Sequence, residues 1–372
     1  MRVKLSALDV KILRTLGEKT PRNLAEVARS LGIPTRTVHF RISRMSHKVH
    51  LRLNASIFHA KLGMKRAVVF ADAFPGLERL LFECLKTNDF WGYVNRCYGN
   101  CESCFAVYTI PVGYEPKFEE FLHEIQRLDI AEDIRFYWTS SFQYSQVVDK
   151  WFDLNKYKWV FPWESWISEI ETSPVGLPHT LAIPKDFENR ADKIDVLLLK
   201  ELEKDAAVSL NEVAEKLGIS PQLVHYHYEE HVLKKGLLTG FQVFFFRYEP
   251  ELLETVIFVF RFFDEESMAK FAMSLLDKPF TLFVSRILDG STLIVEFSLP
   301  KVEFRDLVDS LSTLARLKLV KEYTYYIQDI RPTVTSRQTL PYEFFKNDKW
   351  VYNHKEHLLR LRELKKDRSN KA

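Results

Sequence analysis

An α+β fold is predicted, made of two tandem units, each a winged helix-turn-helix followed by a βαββαβ ferredoxin-like domain. Three observations lead to it: a helical block that recurs at half the chain's length, a β-rich run after each copy, and one shared order of strands and helices beyond. Leu8 to Met45 lies over Ile194 to His231 at a constant offset of 186, with 13 identities in 38 pairs. That is too many for two unrelated helical segments.

The shared positions are those a three-helix core needs. Leu13, Leu16, Leu24, Val27, Leu31, Ile33 and Val38 recur as Leu199, Leu202, Leu210, Val213, Leu217, Ile219 and Val224, at helical spacing. A helix start is written twice: Asn23 with Glu26, and Ser209 with Glu212, place a capping side chain before an acid at the third helical position. Gly32 and Gly218 then suit a left-handed stop, and a third helix starts at Pro34. The runs VHLRLNASIF and LLTGFQVFFF that follow are expected to form a wing in each unit.

Beyond each wing, strands are expected at 67–73, 90–98, 103–110 and 133–139, with helices at 75–86 and 117–128. The second half repeats them as strands at 255–263, 280–288, 292–299 and 320–330 and helices at 265–276 and 302–317. Asp289-Gly290 marks the hairpin between its middle strands. The predicted domains are 1–65 (winged helix-turn-helix, DNA-binding), 66–141 (ferredoxin-like), 142–186 (aromatic-rich extension and linker), 187–250 (winged helix-turn-helix-like, not DNA-binding), 251–331 (ferredoxin-like) and 332–372 (aromatic extension and basic tail). Lys158-Trp159-Val160-Phe161 reappears as Lys349-Trp350-Val351-Tyr352, and such aromatic density is expected to bury against the sheets or the opposite half. The tail from His354 onward reads as a solvated basic helix.

Charge separates the two copies. Met1 to Arg66 carries 15 Lys and Arg against 3 acids, a net of +12, while the counterpart from Phe187 to Pro250 carries 8 against 11. A chain of only +3 in total therefore hides a basic lobe suited to a polyanion. On the third helix Val38, Ile42 and Met45 point inward by spacing. Arg36, Thr37, Phe40, Ser43 and Arg44 are then left on the opposite side, with His39 and Arg41 flanking. Arginine, hydroxyl and aromatic side chains use base edges or phosphates, and Arg22, Thr35, Lys48 and Arg52 join them as expected contacts to double-stranded DNA. In the second copy Arg36, Arg41, Ser43 and Arg44 become Gln222, His227, Glu229 and Glu230, and carboxylates repel a phosphate backbone.

The stretch LAEVARSLGIPTRTVHFRISRM, followed by a wing ending in KLGM and a βαββαβ domain, resembles the archaeal and bacterial Lrp/AsnC regulators. Thr37, Val38, Arg41, Ile42, Arg44 and Met45 fill the places of that family's recognition helix. The resemblance implies sequence-specific DNA binding in the major groove through 34–45. It also implies transcription regulation, pairing through the ferredoxin-like halves and sensing of a small-molecule effector. The chain departs from the family by joining two units, by its acidic second helix and by its aromatic extensions. Two such units in one chain can pair internally as a pseudo-dimer, and two chains are expected to associate as a homodimer that presents two basic heads.

Siroheme decarboxylases resemble Lrp/AsnC proteins in fold and also pair two units, which makes an enzyme the competing class. A sequence-tolerant chromatin protein is a third. Neither a nucleotide-binding glycine loop nor a nucleophile elbow is present, and the chain is read as a non-enzyme that needs no cofactor. Cys97, Cys101 and Cys104 in RCYGNCESCF could hold zinc with a fourth ligand, or form a redox-sensitive disulfide; reduced thiols are the default. His227 and His231 have the i, i+4 spacing of a metal pair, but with no third ligand in sequence they read, with His225, as exposed histidines. The densest apolar run, Phe241 to Phe263, is broken by charges, and no leader-like segment is seen. A soluble cytoplasmic protein with no membrane partner is expected.

Overall fold

The computed structural model describes residues 5–19, 21–99, 102–329, 335–337 and 339–369. The first half runs α1 (Ala7–Glu18), α2 (Leu24–Leu31), α3 (Thr35–Lys48), β1 (Arg52–Ile57), β2 (Met64–Ala73), α4 (Glu78–Leu85), β3 (Trp91–Tyr98), β4 (Glu102–Pro111), α5 (Glu115–Arg127) and β5 (Ala131–Thr139). An extension follows, with β6 (Gln143–Tyr144), β7 (Phe152–Asp153), β8 (Lys158–Trp159) and α6 (Trp163–Thr172). The second half repeats the order as α7 (Lys193–Lys204), α8 (Leu210–Leu217), α9 (Pro221–Tyr226), β9 (Leu238–Phe244), β10 (Leu253–Arg261), α10 (Glu265–Leu275), β11 (Thr281–Arg286), β12 (Thr292–Pro300), α11 (Phe304–Arg316) and β13 (Glu322–Gln328). It closes with β14 (Thr335–Ser336), β15 (Phe345–Lys346), β16 (Lys349–Trp350) and α12 (His354–Ser369).

The local signals act as predicted. Asn23 Oδ1 accepts from the amide of Glu26, Ser209 and Glu212 form a reciprocal capping box, and Gly32 and Gly218 both sit at φ 65. Only glycine adopts that left-handed conformation without a Cβ penalty. Gly290, at φ 84, turns the chain between β11 and β12.

The wings differ from expectation. Neither run makes a wing of its own; β1 and β9 pair with each other, antiparallel, from Arg52↔Phe244 to Ile57↔Leu238. A single six- or seven-residue strand leaves a full edge of amides and carbonyls unsatisfied, and the matching run from the other half satisfies it.

The two ferredoxin-like sheets share one larger sheet in the order β5-β2-β4-β3-β13-β10-β12-β11-β6, with β14 beside β3. Its ends meet as well: Thr139 bridges Ile287, and the Leu288 amide donates to the Trp138 carbonyl at 2.9 Å. The eight long strands therefore curl around one interior, where Phe70 of β2 stacks on Tyr326 of β13 at 4.7 Å, and their helices cover the outside.

The extensions cross over. The β7–β8 hairpin packs Phe152 and Trp159 into the core of the first helical block, while α6 packs on α10 and α11 of the second half. Reciprocally, Phe345 and Trp350 of the β15–β16 hairpin join the core of the second block, and α12 packs on α4 and α5. The aromatic motif is thus buried, as expected, but the basic tail is not a free solvated helix. Leu358, Leu361 and His357 are buried, and Arg360 makes two 2.9 Å bonds to Asp89. Among the described residues no helix is long and apolar enough to cross a membrane.

Candidate nucleic-acid interface

The position of α3 follows from its inward face. Val38 and Met45 are fully buried against α1 and α2, so Arg36, His39, Phe40, Ser43 and His47 fall on the outer side and are exposed. Phe40 keeps 67% of its surface open, and its counterpart in the second block, Tyr226, keeps 54%. The side chains of Arg36, His39, Ser43 and His47 make no hydrogen bond or ion pair with the described residues. His47, missed by the sequence reading, continues the same stripe four residues beyond Ser43 and was legible in that spacing.

Arg41 and Arg44 point elsewhere. Asp9 on α1 is completely buried, and both guanidiniums reach it: Arg41 Nη1 at 2.9 Å from Oδ1 and Arg44 Nη2 at 2.5 Å from Oδ2. Burial works against ionisation of Asp9, and hydrogen bonds from Ser6 and Arg41, with the charge of Arg44, outweigh it, so its pKa lies below 3.8. These two arginines clamp α3 to α1 rather than face solvent. Helical periodicity alone placed Arg44 on the outer face. The side chain is long enough to fold back to a buried anion that periodicity cannot show.

The remaining predicted contacts separate. Thr35 and Thr37 are half-buried at the start of α3, and Lys48 is exposed at its end. Arg22 turns away from the interface: it lies 4.6 Å over the Tyr228 ring and donates to the Val208 carbonyl at 3.0 Å, joining the two helical blocks. Arg52 is exposed on β1, at the rim of a cavity of about 500 Å³ beneath the β1–β9 ribbon, which Tyr93, Phe105, Tyr144, Arg247 and Glu296 also line. Burial lowers Arg247 to about 10 and lifts Glu296 to about 7, so the charged form of each of these two lining residues is disfavoured.

Cys97 and Cys104 do not come together. Cys97 on β3 stands opposite Ser103, and Cys104 on β4 stands opposite Arg96, so by strand alternation they face opposite sides of the sheet. Cys97 lies in the barrel interior and Cys104 under the outer helices. Burial raises both thiols, Cys104 to about 12, away from the thiolate that a metal or redox role needs. Cys101 lies outside the described residues.

The second block's histidines also correct the sequence reading. His225 is exposed, but His227 is buried and His231 nearly so, and both rings turn toward Asp195. They sit on a π-helical turn, His227–Leu233, which continues α9. The regular 14-residue α3 has no such interruption.

Burial also sets an expected pH response. Glu203 and Glu296 hold their protons up to about 7 in the fold, against 4.5 when free, with burial as the cause in both. The folded state therefore binds more protons between those values, and this contribution to stability is lost as pH rises through that window. Asp9 and Asp89, the latter lowered to about 2, act in the opposite direction and only in more acidic solution. His59 and His357, lowered from 6.5 by burial, oppose this in the same range, so the test is comparative: from about pH 5.5 to about pH 8 the parent's thermal midpoint should fall relative to that of the Glu203→Gln, Glu296→Gln variant. A difference between the two midpoints that stays the same at both pH values would show that other groups set the response.

A protein family described as winged helix-turn-helix DNA-binding matches residues 192–230, the α7–α9 block. No curated protein sequence matches the chain. In fold the chain is similar to the siroheme decarboxylase NirDL, with a TM-score of 0.52, 11% identity, and coverage of 97% of this chain and 99% of that one. A second NirDL structure, in co-complex with an iron-uroporphyrin III analogue, aligns at 0.52 and 11%, over 96% of this chain and 98% of that one. AsnC of E. coli aligns over 40% of this chain and 99% of its own, at 0.29 and 15% identity. Fold and match together define a winged helix-turn-helix block of the DNA-binding class at 192–230, the block with the acidic third helix, joined to ferredoxin-like domains.

Proposed function

We propose that the chain is a transcription regulator of the Lrp/AsnC type that reads duplex DNA through α3, and that it is not an enzyme. The observation that carries this reading is the exposed stripe of Arg36, His39, Phe40, Ser43 and His47, free of internal partners, on a lobe of net charge +12. Arg36 and Lys48 would meet phosphates or guanine edges, and Phe40 would pack on thymine methyls. The closed barrel provides the pairing that the family achieves between chains, and the cavity under the β1–β9 ribbon is the place for a small effector. Two chains would join to present two α3 helices to a pseudo-palindrome.

The test is binding of the full-length chain to genomic fragments at several salt concentrations. Affinity should fall with a log-log slope of about −4 to −7, as for five to eight neutralised phosphates. Arg36→Ala should weaken binding by about 1–3 kcal/mol without changing the unfolding midpoint. A flat salt response, or an Arg36→Ala variant that binds as tightly as the parent, would contradict the reading. Equal binding to competitor DNA would indicate the sequence-tolerant chromatin protein instead.

The cavity favours a second reading, an enzyme like siroheme decarboxylase. Arg52 and Arg247 among Tyr93, Phe105 and Tyr144 suit an aromatic ligand that carries carboxylates. Titration with an iron tetrapyrrole separates the readings. A shifted absorption band that disappears in Arg247→Ala would favour the enzyme.

A further inference from the structure

We infer that the second helical block holds a divalent transition-metal ion of the zinc class, bound by Asp192, Asp195, His227 and His231. Their ligand atoms all lie within 4.8 Å of one another. The individual separations say more: Asp195 Oδ1 is 2.8 Å from His227 Nδ1 and 3.1 Å from His231 Nδ1, and Asp192 Oδ2 is 3.5 Å from His231 Nδ1. Tetrahedral zinc, with bonds of about 2.0–2.1 Å to nitrogen and oxygen, has ligand-to-ligand edges of about 3.3 Å. These three edges bracket that value, and none of the six exceeds 4.8 Å. Small shifts that lengthen the 2.8 and 3.1 Å edges and shorten the longer ones would seat the ion.

Comparison with the first block supplies a second line of argument, because the two blocks are aligned residue by residue. Asp195 matches Asp9, but Arg41 becomes His227, Met45 becomes His231 and Ser6 becomes Asp192. The first block thus sets one buried carboxylate against two permanent guanidinium cations. The second sets two carboxylates against two imidazoles, with one ammonium, Lys235 Nζ, 3.8 Å from Asp195 Oδ2 and also bonded to the Arg190 carbonyl at 3.1 Å. Asp195 is fully buried and Asp192 partly exposed at its side; a buried carboxylate needs compensating charge, and a divalent cation supplies it where the arginines are missing. Both imidazoles would bind as neutral rings through Nδ1; the proton that Nδ1 donates to Asp195 in the metal-free fold moves to Nε2 of a neutral ring, or is released to solvent from a doubly protonated one, before the Nδ1–metal bond forms.

Local structure serves the same end. Asp192 caps α7 through Oδ1, which accepts from the amides of Ile194 and Asp195, and this leaves Oδ2 to bind the ion. The π-helical turn winds more residues per turn than an α-helix, which brings residues four apart closer to one line. The rings of His227 and His231 stand 4.5 Å apart there. Two imidazoles and two carboxylates suit zinc or cobalt over magnesium or calcium.

The full-length chain is stripped with a chelator and dialysed against zinc, and the bound metal is measured. One equivalent per chain is expected, magnesium should not compete, and cobalt should give the intense visible bands of a tetrahedral site. His231→Met and Asp192→Ser introduce the residues that the first block carries at the matched positions, so the scaffold accommodates both types. Each should lose the bound equivalent and the cobalt bands while keeping the parent's far-UV spectrum. Cys84→Ser should keep both. Less than one equivalent in the parent, octahedral cobalt spectra, or variants that bind like the parent would each overturn the site. These readouts do not involve DNA, so they stand apart from the proposed regulator function.

Discussion

Replacing Arg41 and Arg44 together by alanine should destabilise the chain by about 3–5 kcal/mol, the cost of leaving a buried carboxylate without its cations. Asp9 has no exposed surface, and with both guanidiniums gone only the Ser6 amide and hydroxyl continue to serve it, at 2.8 and 2.7 Å. Denaturant unfolding followed by circular dichroism measures the effect. Asp9→Asn should cost less, because both arginines are partly exposed and can turn to solvent while the neutral side chain still accepts a bond from Ser6. DNA affinity should fall in the double variant too, but as a consequence of lost structure, in contrast to Arg36→Ala, which should lose affinity alone. A double variant with the parent's midpoint would show that Asp9 is not held by these two cations.

Trp166→Ala should cost about 3–5 kcal/mol as well, through a cavity in the core of the second ferredoxin-like domain. The Trp166 side chain has no exposed surface, lies 5.2–6.2 Å from the rings of Phe271, Phe280 and Phe297, and donates from Nε1 to Ser274 Oγ at 2.9 Å. Because α6 belongs to the first half's extension, the substitution also loosens the strap between the halves. Trp166→Phe keeps most of the volume and should recover most of the stability. Limited proteolysis between α6 and α7 should speed up in the alanine variant; unchanged cleavage would mean that α6 is anchored by other contacts.

The core of the first helical block shows why excising that block is a poor test of its chemistry. Val147, Phe152, Trp159, Ala206 and Phe245 all join it from outside residues 1–65. Nothing in the first 65 residues signals that dependence, since an apolar face reads the same whatever covers it. Arg22 makes the same point for charge: it is one more cation of a basic lobe in sequence, and a strut between blocks in the fold.

Local chemistry was enough for the secondary structure. Caps at Asn23 and Ser209, stops at Gly32 and Gly218, the turn at Gly290 and alternating β-branched and aromatic runs depend on neighbours a few residues away, and every predicted strand and helix of both ferredoxin-like domains is present within a few residues. The internal repeat likewise showed two units of one architecture, and charge counting singled out the amino-terminal one.

What tertiary structure alone decided is which long-range partners meet. The pairing of β1 with β9, the crossing of α6 and α12, the inward turn of Arg41 and Arg44 to Asp9, the separation of Cys97 from Cys104 and the meeting of Asp192 and Asp195 with His227 and His231 all join residues whose sequence separation carries no periodic signal. Periodicity says which face of an element is apolar. The partner a long polar side chain reaches, and the face that closes over an apolar stripe, depend on packing among distant segments and exist only once the chain has folded.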